Sequence, residues 1–193
     1  MKLIIASNNA HKVYEIKKIL SGKFDEILSL REAGISHETV EDGSTFIENA
    51  LKKAREICEI SGQCALADDS GICVDALDGA PGIYSARFAG DYTGNAPDEA
   101  NNALLLEKLR DKADRSAHYT SAIALVYPSG REVVAEGYMY GKIIDTPRGE
   151  RGFGYDPLFV MDGEKRTVAE MTDEEKNAVS HRAKALQALL EKI

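Results

Sequence analysis

Two adjacent carboxylates, Asp68 and Asp69, are the residues of this sequence best suited to chemistry. They stand between the apolar runs 64–67 and 72–74, and a serine and a glycine follow them directly. Apolar runs bounded by turn residues are typical of buried strands. Two ionised groups at the end of a buried strand cost free energy unless something compensates them, and a bound divalent cation would do so. This stretch is therefore the predicted centre of a chemical site.

The sequence does not say which of the two acids would face a ligand. In a continuing strand their side chains would point to opposite faces. An Asx-type turn before Gly71 is the alternative.

A second candidate is the segment that joins the first predicted strand to the first predicted helix, Ser7-Asn8-Asn9-Ala10-His11-Lys12. Such a junction offers free backbone amides and the positive end of a helix, which together form a site for an anion. The sequence contains no G-x-x-x-x-G-K-[ST] motif, so this is not a standard P-loop. The alternative is an asparagine-rich helix cap followed by a solvated lysine.

Two further polar candidates belong to the next predicted helix. Glu41 stands just before it, and Lys53 follows Asn49 by four residues and so shares its helix face. Each of these residues, taken alone, could equally be an ordinary surface group.

The last candidates lie in the C-terminal part of the chain. Two glycines, two aromatics and an acid are combined in Gly152-Phe153-Gly154-Tyr155-Asp156-Pro157. Glycine lets the backbone approach a ligand closely, and an aromatic ring could stack on a planar base, a contact worth about 1–3 kcal/mol. The alternative is a turn with core aromatics. Lys176 and the run Ser180-His181-Arg182 follow, and their cations could also be simply solvated.

The elements that must position these residues alternate between strands and helices early in the chain. Strands are predicted at 2–6, 24–30, on both sides of the acid pair, and at 117–127, 132–144 and 157–161. Helices are predicted at 12–20, from a cap at Thr45 to Gly62, from Pro97 to about residue 109, and from Thr172 onwards. In the last of these segments, Ser180 either caps a second helix or lies within one unbroken helix. Early alternation with a central hairpin indicates a mixed α/β sheet.

Composition limits the class of protein. The 193 residues suffice for one domain or two small lobes, and no apolar run approaches the roughly 18 residues of a membrane span. Three cysteines without a Cys-x-x-Cys pair disfavour a disulfide framework or a thiolate zinc site. The apolar stretch at the start of the sequence is too short for a signal peptide. A cytoplasmic location is therefore expected. A net charge of −8 disfavours nucleic acid and favours a small phosphorylated ligand held at a focused site.

Taken together, six motifs resemble the inosine triphosphate pyrophosphatase family. They occur in this order: Ser7-Asn8-Asn9-x-x-Lys12, Thr45-Phe46-x-Glu48-Asn49-Ala50, Ala67-Asp68-Asp69-Ser70-Gly71, the run from Gly79 to Arg87, Phe153-Gly154-Tyr155-Asp156-Pro157 and Ser180-His181-Arg182. The resemblance covers nearly the whole chain. The main local difference is Ser7, where many members carry threonine, and the hydroxyl is retained.

The resemblance implies both a fold and a reaction. The implied fold is a single domain over residues 1–193, an elongated mixed β-sheet with flanking helices in two lobes and a central active-site cleft. The implied protein is a homodimer that uses Mg²⁺ to hydrolyse non-standard purine nucleoside triphosphates (ITP, dITP, XTP) to the monophosphate and pyrophosphate, which cleanses the nucleotide pool.

The same resemblance assigns roles to individual residues. The segment Ser7–Lys12 with Lys53 would hold the triphosphate, and Ser70 would contact the nucleotide. The metal would be held by Glu41 and Asp69, with Asp68 beside them. The base and sugar pocket would be lined by Phe153, Gly154, Tyr155, Asp156, Lys176, His181 and Arg182.

Two mechanistic expectations follow. Asp69 would deprotonate a water made acidic by Mg²⁺, with its own pKa raised by Asp68 and lowered by the metal. Arg182, a donor-only side chain, would donate to the 6-keto oxygen of hypoxanthine or xanthine and would reject the 6-amino group of adenine, which is also a donor. How GTP would be excluded does not follow from the sequence.

Two other functions remain open at this point. A related pyrophosphatase of the septum-formation-inhibitor (Maf-like) type shares the N-terminal phosphate site in broad form, but the motifs at 153–157 and 180–182 argue against it. A non-catalytic nucleotide sensor is the other alternative, and it would not need a water-activating carboxylate.

Overall fold

The central element of the computed structural model, which describes residues 2–90 and 94–193, is a six-stranded sheet with strand order β2-β1-β3-β4-β5-β6. Strand β1 pairs in parallel with β2 and β3, whereas β5 and β6 are antiparallel. The predicted mixed α/β fold is confirmed. The strands are β1 (Lys2–Ile5), β2 (Glu26–Ser29), β3 (Cys64–Val74), β4 (Ser116–Val126), β5 (Glu132–Ile143) and β6 (Phe159–Met161).

Five α-helices accompany the sheet in the described part of the chain, together with short 3-10 turns at 75–77, 82–87, 156–158 and 168–170. The helices are α1 (Ala10–Ile19), α2 (Phe46–Ser61), α3 (Asp98–Leu109), α4 (Asp173–Val179) and α5 (His181–Leu190). The C-terminal helical segment is thus two helices. Ser180 breaks it, because its backbone is extended (φ −65°, ψ 156°).

Helix α2 shows how local sequence sets an element's ends. The Thr45 side chain accepts the backbone N–H of Glu48, and Gly62 closes the helix in the left-handed conformation at φ 63°. Both are the expected capping chemistries. The predicted bounds of this helix are therefore confirmed.

The chain divides into two compact units. Unit 1 comprises residues 1–69, 121–137 and 181–193, and unit 2 comprises residues 70–120 and 138–180. Strand β3 contributes residues to both, since the division falls between Asp69 and Ser70.

Unit 1 buries both faces of its strands. One cluster joins Leu3, Ile5 and Leu66 to apolar residues of α1 and α5, and the other joins Ile4, Ala65 and Ala67 to α2. Alternate residues of each strand therefore face different helices, as the pleat of a β-strand requires.

Unit 2 has one core. Its largest contributors come from β3, α3 and β4–β6, among them Ile72, Leu105, Tyr119 and Phe159. The rings of Tyr119 and Phe159 meet edge to face with their centres 4.9 Å apart.

Within the described residues, no helix combines the length and the apolar character that a membrane crossing would need.

The packing of α5 on β5 in unit 1 yields a stability prediction. A Cβ atom at Gly137 would lie 2.2 Å from the carbonyl oxygen of His181 and 2.4 Å from the backbone nitrogen of Ala185. Because these are backbone atoms, the whole of α5 would have to shift. Gly137→Ala should lower the free energy of unfolding by about 1–3 kcal/mol, as overpacking does, measured by urea denaturation.

The neighbouring substitution Glu136→Ala is the matched control. Glu136 lies on the same strand and is exposed, so its replacement should change stability by no more than about 0.5 kcal/mol. Equal stability of the two variants would contradict the close packing of α5 on β5.

Candidate active site

Asp68 and Asp69 lie in the same strand but belong to opposite faces of it. Strand β3 continues unbroken through both residues, which excludes the Asx turn. Leu66 packs with α1 and α5, whereas Ala67 packs with α2. Two residues further on, Asp68 therefore faces α1 and α5, and Asp69 faces α2.

Asp68 is the centre of a buried charge network in unit 1. Its carboxylate accepts a hydrogen bond from the Ser121 hydroxyl at 2.5 Å and lies 2.8 Å from Lys12 Nζ and 3.2 Å from Arg182 Nη2. The other terminal nitrogen of Arg182 pairs with Glu15. The network thus contains two carboxylates, Asp68 and Glu15, and two cations, Lys12 and Arg182.

This network holds its charges despite burial. Burial alone would raise the pKa of Asp68, but Arg182 and Lys12 hold that pKa well below its usual value. Burial likewise opposes the charge of Arg182, and the carboxylates of Asp68 and Glu15 raise its pKa nevertheless. Asp68 therefore stays ionised and fully paired at neutral pH.

Asp68 does not share the contacts of Glu41 and Asp69, the two residues that were predicted to hold the metal. Among the described residues, no three His, Cys, Asp or Glu side chains are placed to share one metal ion. Asp68 is separated from the other two by the strand pleat, because its oxygens face Lys12, Arg182 and Ser121. Asp68 is accordingly a member of the charge network, and its predicted place beside a metal ion stays a prediction.

Asp69 belongs to a different group on the α2 side. Lys53 Nζ donates to Glu41 Oε1 at 2.6 Å, to Asp69 Oδ1 at 3.0 Å and to the backbone carbonyl oxygen of Asp68 at 3.0 Å. The side-chain amide of Asn49 donates to Asp69 Oδ2 at 3.3 Å. The structure thus brings together three predicted residues, Glu41, Lys53 and Asp69, around one ammonium.

Two carboxylates share that single ammonium, and this affects their pKa values. Burial raises the pKa of Asp69, only partly opposed by Lys53 and Lys12, and the nearby charge of Glu41 raises it further. Burial lowers the pKa of Lys53, but Asp69 and Glu41 more than offset this, so the lysine stays charged. The sequence predicted that the charge of Asp68 would raise the pKa of Asp69. Burial is instead the main cause of that rise.

The irregular segment that carries Glu41 is held by side chains of α2. Asn49 Oδ1 accepts the backbone N–H of Gly43 at 2.9 Å, and Lys52 pairs with Asp42 at 2.6 Å. Glu56 accepts the Thr39 hydroxyl at 2.5 Å and lies 2.7 Å from His37 Nε2. Helix α2 therefore positions both Lys53 and the segment opposite it.

Sequence reasoning gave no role to three residues that the structure places at these groups: Asn49, Ser121 and Glu15. Asn49 is fully buried and uses both ends of its amide, to Gly43 and to Asp69. The sequence did carry one signal for Asn49, which is a polar residue of the predicted helix beside residues of that helix's buried face. Ser121 and Glu15 carried no comparable signal, because their importance depends on distant partners.

The segment Ser7–Lys12 forms the helix cap that its sequence offered, but its lysine is paired rather than solvated. Asn9 caps α1, and its side-chain oxygen accepts the backbone N–H groups of His11 at 3.0 Å and Lys12 at 3.1 Å. Asn8 donates to the carbonyl oxygen of His37 at 3.2 Å, and Ser7 Oγ accepts the N–H of Asn9 at 3.2 Å. Ala10 is the first residue of α1. Two first-turn amides are therefore already bonded to the cap, and the Lys12 ammonium lies at Asp68.

Unit 2 contains a second cluster, built on the segment 153–156. The buried Asp156 carboxylate accepts from Lys176 Nζ at 2.8 Å, from the backbone N–H of Phe153 at 3.0 Å and from the Tyr119 hydroxyl at 3.2 Å. The Lys176 ammonium also lies 4.6 Å from the centre of the Phe153 ring.

The two aromatics of this segment have different environments. Tyr155 is a core residue, 3% exposed, with its hydroxyl bonded to the carbonyl oxygen of Ser85 at 2.8 Å. Phe153 is half-buried. The interpretation as a core aromatic is right for Tyr155, whereas Phe153 is only half-buried.

The remaining predicted residues are placed as follows. Ser70 is half-buried in β3, directly after Asp69. His181, the first residue of α5, is 4% exposed, and Arg182 is fully buried with its guanidinium at Asp68 and Glu15. The predicted role of Arg182 in base recognition stays a prediction. Ser70, the segment 153–156 and Lys176 belong to unit 2, and the other predicted residues belong to unit 1.

Comparisons with known proteins agree with the motifs. A model of the Ham1 family matches residues 3–192. The dITP/XTP pyrophosphatase of Clostridium perfringens is 52% identical, with 97% of this chain and 95% of that protein covered. The protein of the same name from Exiguobacterium sp. is 50% identical, with 98% of this chain and 95% of that protein covered.

Solved structures give the same result. The Ham1 protein of Staphylococcus aureus is 40% identical with a TM-score of 0.86, and the alignment covers 100% of this chain and 99% of that one. A HAM1 protein from Coxiella burnetii is 38% identical with a TM-score of 0.88, and both chains are covered completely. Because the family match spans nearly all of the sequence and close relatives align over nearly their full length, this chain belongs to the Ham1 family.

Proposed function

We propose that this protein hydrolyses the non-standard purine nucleoside triphosphates ITP, dITP and XTP to the monophosphate and pyrophosphate. The observation that carries the proposal is the identity of 50–52%, over nearly the full length, to proteins named dITP/XTP pyrophosphatase. It places the reaction among hydrolyses of phosphoric anhydrides. The buried group of Asp69, Lys53 and Glu41 supports it, since these side chains suit the binding and hydrolysis of a polyphosphate.

We also propose that Glu41 and Asp69 hold a Mg²⁺ ion. Their carboxylates are near each other, because both contact the same Lys53 ammonium, at 2.6 and 3.0 Å. An oxygen-only donor set with one or two carboxylates, completed by substrate phosphates and water, is what Mg²⁺ takes in proteins. When bound, the ion would neutralise phosphate charge and make an attacking water more acidic.

The reacting group in this proposal is Asp69. Its carboxylate accepts a proton from the water that attacks the α-phosphorus, and pyrophosphate leaves. An ordinary aspartate is a weak base near pH 7. Burial raises the pKa of Asp69 and a bound Mg²⁺ would lower it, so proton transfer to Asp69 would depend on a water that the ion makes more acidic. Asn49 and Lys53 orient the carboxylate, one at each oxygen.

The charges of Lys53 and Lys12 support binding of the triphosphate. Both ammonium groups lie at carboxylates that hold them in place, Lys53 at Glu41 and Asp69 and Lys12 at Asp68. Each carries a positive charge, which stabilises an anionic ligand and the charge that develops on the leaving pyrophosphate.

The base is assigned to the segment 153–156 of unit 2. Phe153 offers a half-buried ring for stacking, and Lys176 adds a buried donor beside it. A donor there favours the 6-keto group of hypoxanthine and xanthine over the 6-amino group of adenine.

A homodimer and a cytoplasmic location complete the proposal. The dimer rests on the family resemblance alone. The location rests on an odd number of cysteines, which suits a reducing compartment.

The first test is the identity of the products. The purified protein is incubated with Mg²⁺ and ITP, XTP, dITP, dUTP, ATP or GTP, and pyrophosphate and orthophosphate are both measured. We expect pyrophosphate from ITP, dITP and XTP, with much less from the other three. Orthophosphate as the direct product would indicate a phosphatase, and no product from any nucleotide would indicate a binding module.

The second test concerns Asp69. Asp69→Asn keeps the shape and one acceptor but loses the base, so kcat for ITP should fall by about 10²–10⁴-fold while the dissociation constant for ITP changes little. The control is Glu38→Gln, which removes an exposed carboxylate from the segment before α2 and should keep full activity. Nearly normal turnover in Asp69→Asn would remove Asp69 from its role.

The third test concerns the metal. Chelation with EDTA should abolish hydrolysis, and added Mg²⁺ should restore it. Glu41→Gln removes one ligand charge and should raise the Mg²⁺ concentration for half-maximal rate by about tenfold or more. Glu38→Gln, an exposed residue of the same segment, is the control. An unchanged Mg²⁺ requirement in Glu41→Gln would argue against the proposed ligand.

A further inference from the structure

The segment that holds Phe153 has an unusually permissive backbone. Gly152 and Gly154 flank the ring, with φ of +77° and +64°. Glycine adopts such angles without steric cost but brings little conformational restraint of its own. The position of the Phe153 ring must therefore be fixed by contacts from outside the backbone.

One such contact comes from within the segment. The Asp156 carboxylate accepts the backbone N–H of Phe153, and the N–H of Asp156 donates to the Phe153 carbonyl oxygen at 3.3 Å. These bonds close the turn around Phe153. They leave Gly154 to be held separately.

Helix α3 holds Gly154 at both of its backbone polar groups. Asp98 Oδ2 accepts the Gly154 N–H at 2.6 Å, and Asn102 Nδ2 donates to the Gly154 carbonyl oxygen at 3.1 Å. Residues four apart lie on the same face of a helix. Two side chains from one helix face thus bond to the two sides of a single glycine.

The side-chain amide of Asn102 is oriented so that its nitrogen donates to the Gly154 carbonyl oxygen. Its Oδ1 atom is buried and has no hydrogen-bond partner among the residues that the structure describes. A buried acceptor without a partner is unfavourable. Rotating the amide by 180° would only put that oxygen against the Gly154 carbonyl, so the donor contact to Gly154 determines which way the amide points.

Helix α3 is a firm support for these two contacts. Leu105 and Leu109 are fully buried in the core of unit 2. The side chain of Asn101 accepts the N–H of Ala89 at 2.9 Å and donates to the carbonyl oxygen of Ala86 at 3.3 Å. The helix is therefore tied both to the core and to the preceding loop.

We propose that Asp98 and Asn102 are positioning residues that determine base specificity. By bonding to both sides of Gly154 they hold the Phe153 ring and the Lys176–Asp156 pair in the arrangement that receives the purine. Neither residue touches the reacting phosphates in this scheme, so they act on binding and discrimination rather than on turnover. The inference rests on the proposed function, which assigns the base to the segment 153–156.

The test compares substitutions at these two positions with matched controls. Asp98→Ala removes the acceptor, and Asn102→Asp is nearly isosteric but removes the donor. Glu99→Ala is the control for Asp98→Ala, because it removes an exposed carboxylate from the same first turn of α3 without a bond to Gly154. Asp98→Asn keeps an acceptor and serves as the conservative rescue.

Two measurements are made on each full-length variant. Amide hydrogen exchange at Gly154, followed by NMR, reports the contact itself. Values of kcat and KM for ITP and ATP report its consequence. In Asp98→Ala and Asn102→Asp we expect KM for ITP to rise by about 3- to 20-fold, with kcat within about twofold, as for a lost hydrogen bond that orders a binding loop.

The remaining expected results separate positioning from simple destabilisation. The ratio of kcat/KM for ITP to that for ATP should fall in Asp98→Ala and Asn102→Asp, and Gly154 exchange should be faster in Asp98→Ala. Glu99→Ala and Asp98→Asn should resemble the wild type in every measurement.

Several outcomes would overturn the inference. Unchanged exchange and unchanged KM in Asp98→Ala would do so, as would a fall in kcat that is equal for ITP and ATP. A wild-type protein that releases no pyrophosphate from ITP would instead overturn the proposed function, and the base-positioning role with it. The two failures are thus distinguished by the wild-type rate.

Discussion

The pleat of strand β3 is the constraint on which the site in unit 1 depends. Consecutive side chains of a strand point to opposite faces, so two adjacent buried acids are necessarily separated. Each then needs its own compensation, because an unpaired buried charge is costly. Helices α1 and α5 supply it for Asp68 through Lys12 and Arg182, and α2 supplies it for Asp69 through Lys53.

The charged partners of the two acids differ, and the pKa values of Asp68 and Asp69 shift in opposite directions as a result. On the Asp68 side two cations meet two carboxylates, and the pKa of Asp68 is held well below its usual value. On the Asp69 side one ammonium meets two carboxylates, and burial raises the pKa of Asp69. The first arrangement suits a permanent ion pair, and removing one partner of such a pair typically costs about 3–5 kcal/mol. The second leaves a carboxylate suited to accept a proton or a metal ion.

Unit 2 applies the same principle at its own cluster. The buried Asp156 is paired with the buried Lys176, and its remaining acceptor capacity is used by Tyr119 and by the Phe153 backbone. Burial and the charge of Asp156 raise the pKa of Tyr119 well above its usual value, so its hydroxyl stays a donor. A charged pair therefore anchors a glycine-rich segment that has little rigidity of its own, and α3 completes the support.

The sequence by itself determined the local features. It sufficed for the mixed α/β class, for the cap and the end of α2, for strands on both sides of the acid pair and for the family, because these depend on short-range patterns and on motifs. Only the tertiary structure decided which partners compensate each acid. Arg182 lies 114 residues from Asp68 along the chain, and Ser121 lies 53 residues from it. Spacing along a sequence carries no information on such pairs, because the pairing of β4 with β3 brings Ser121 to Asp68 and the packing of α5 on the sheet brings Arg182 there.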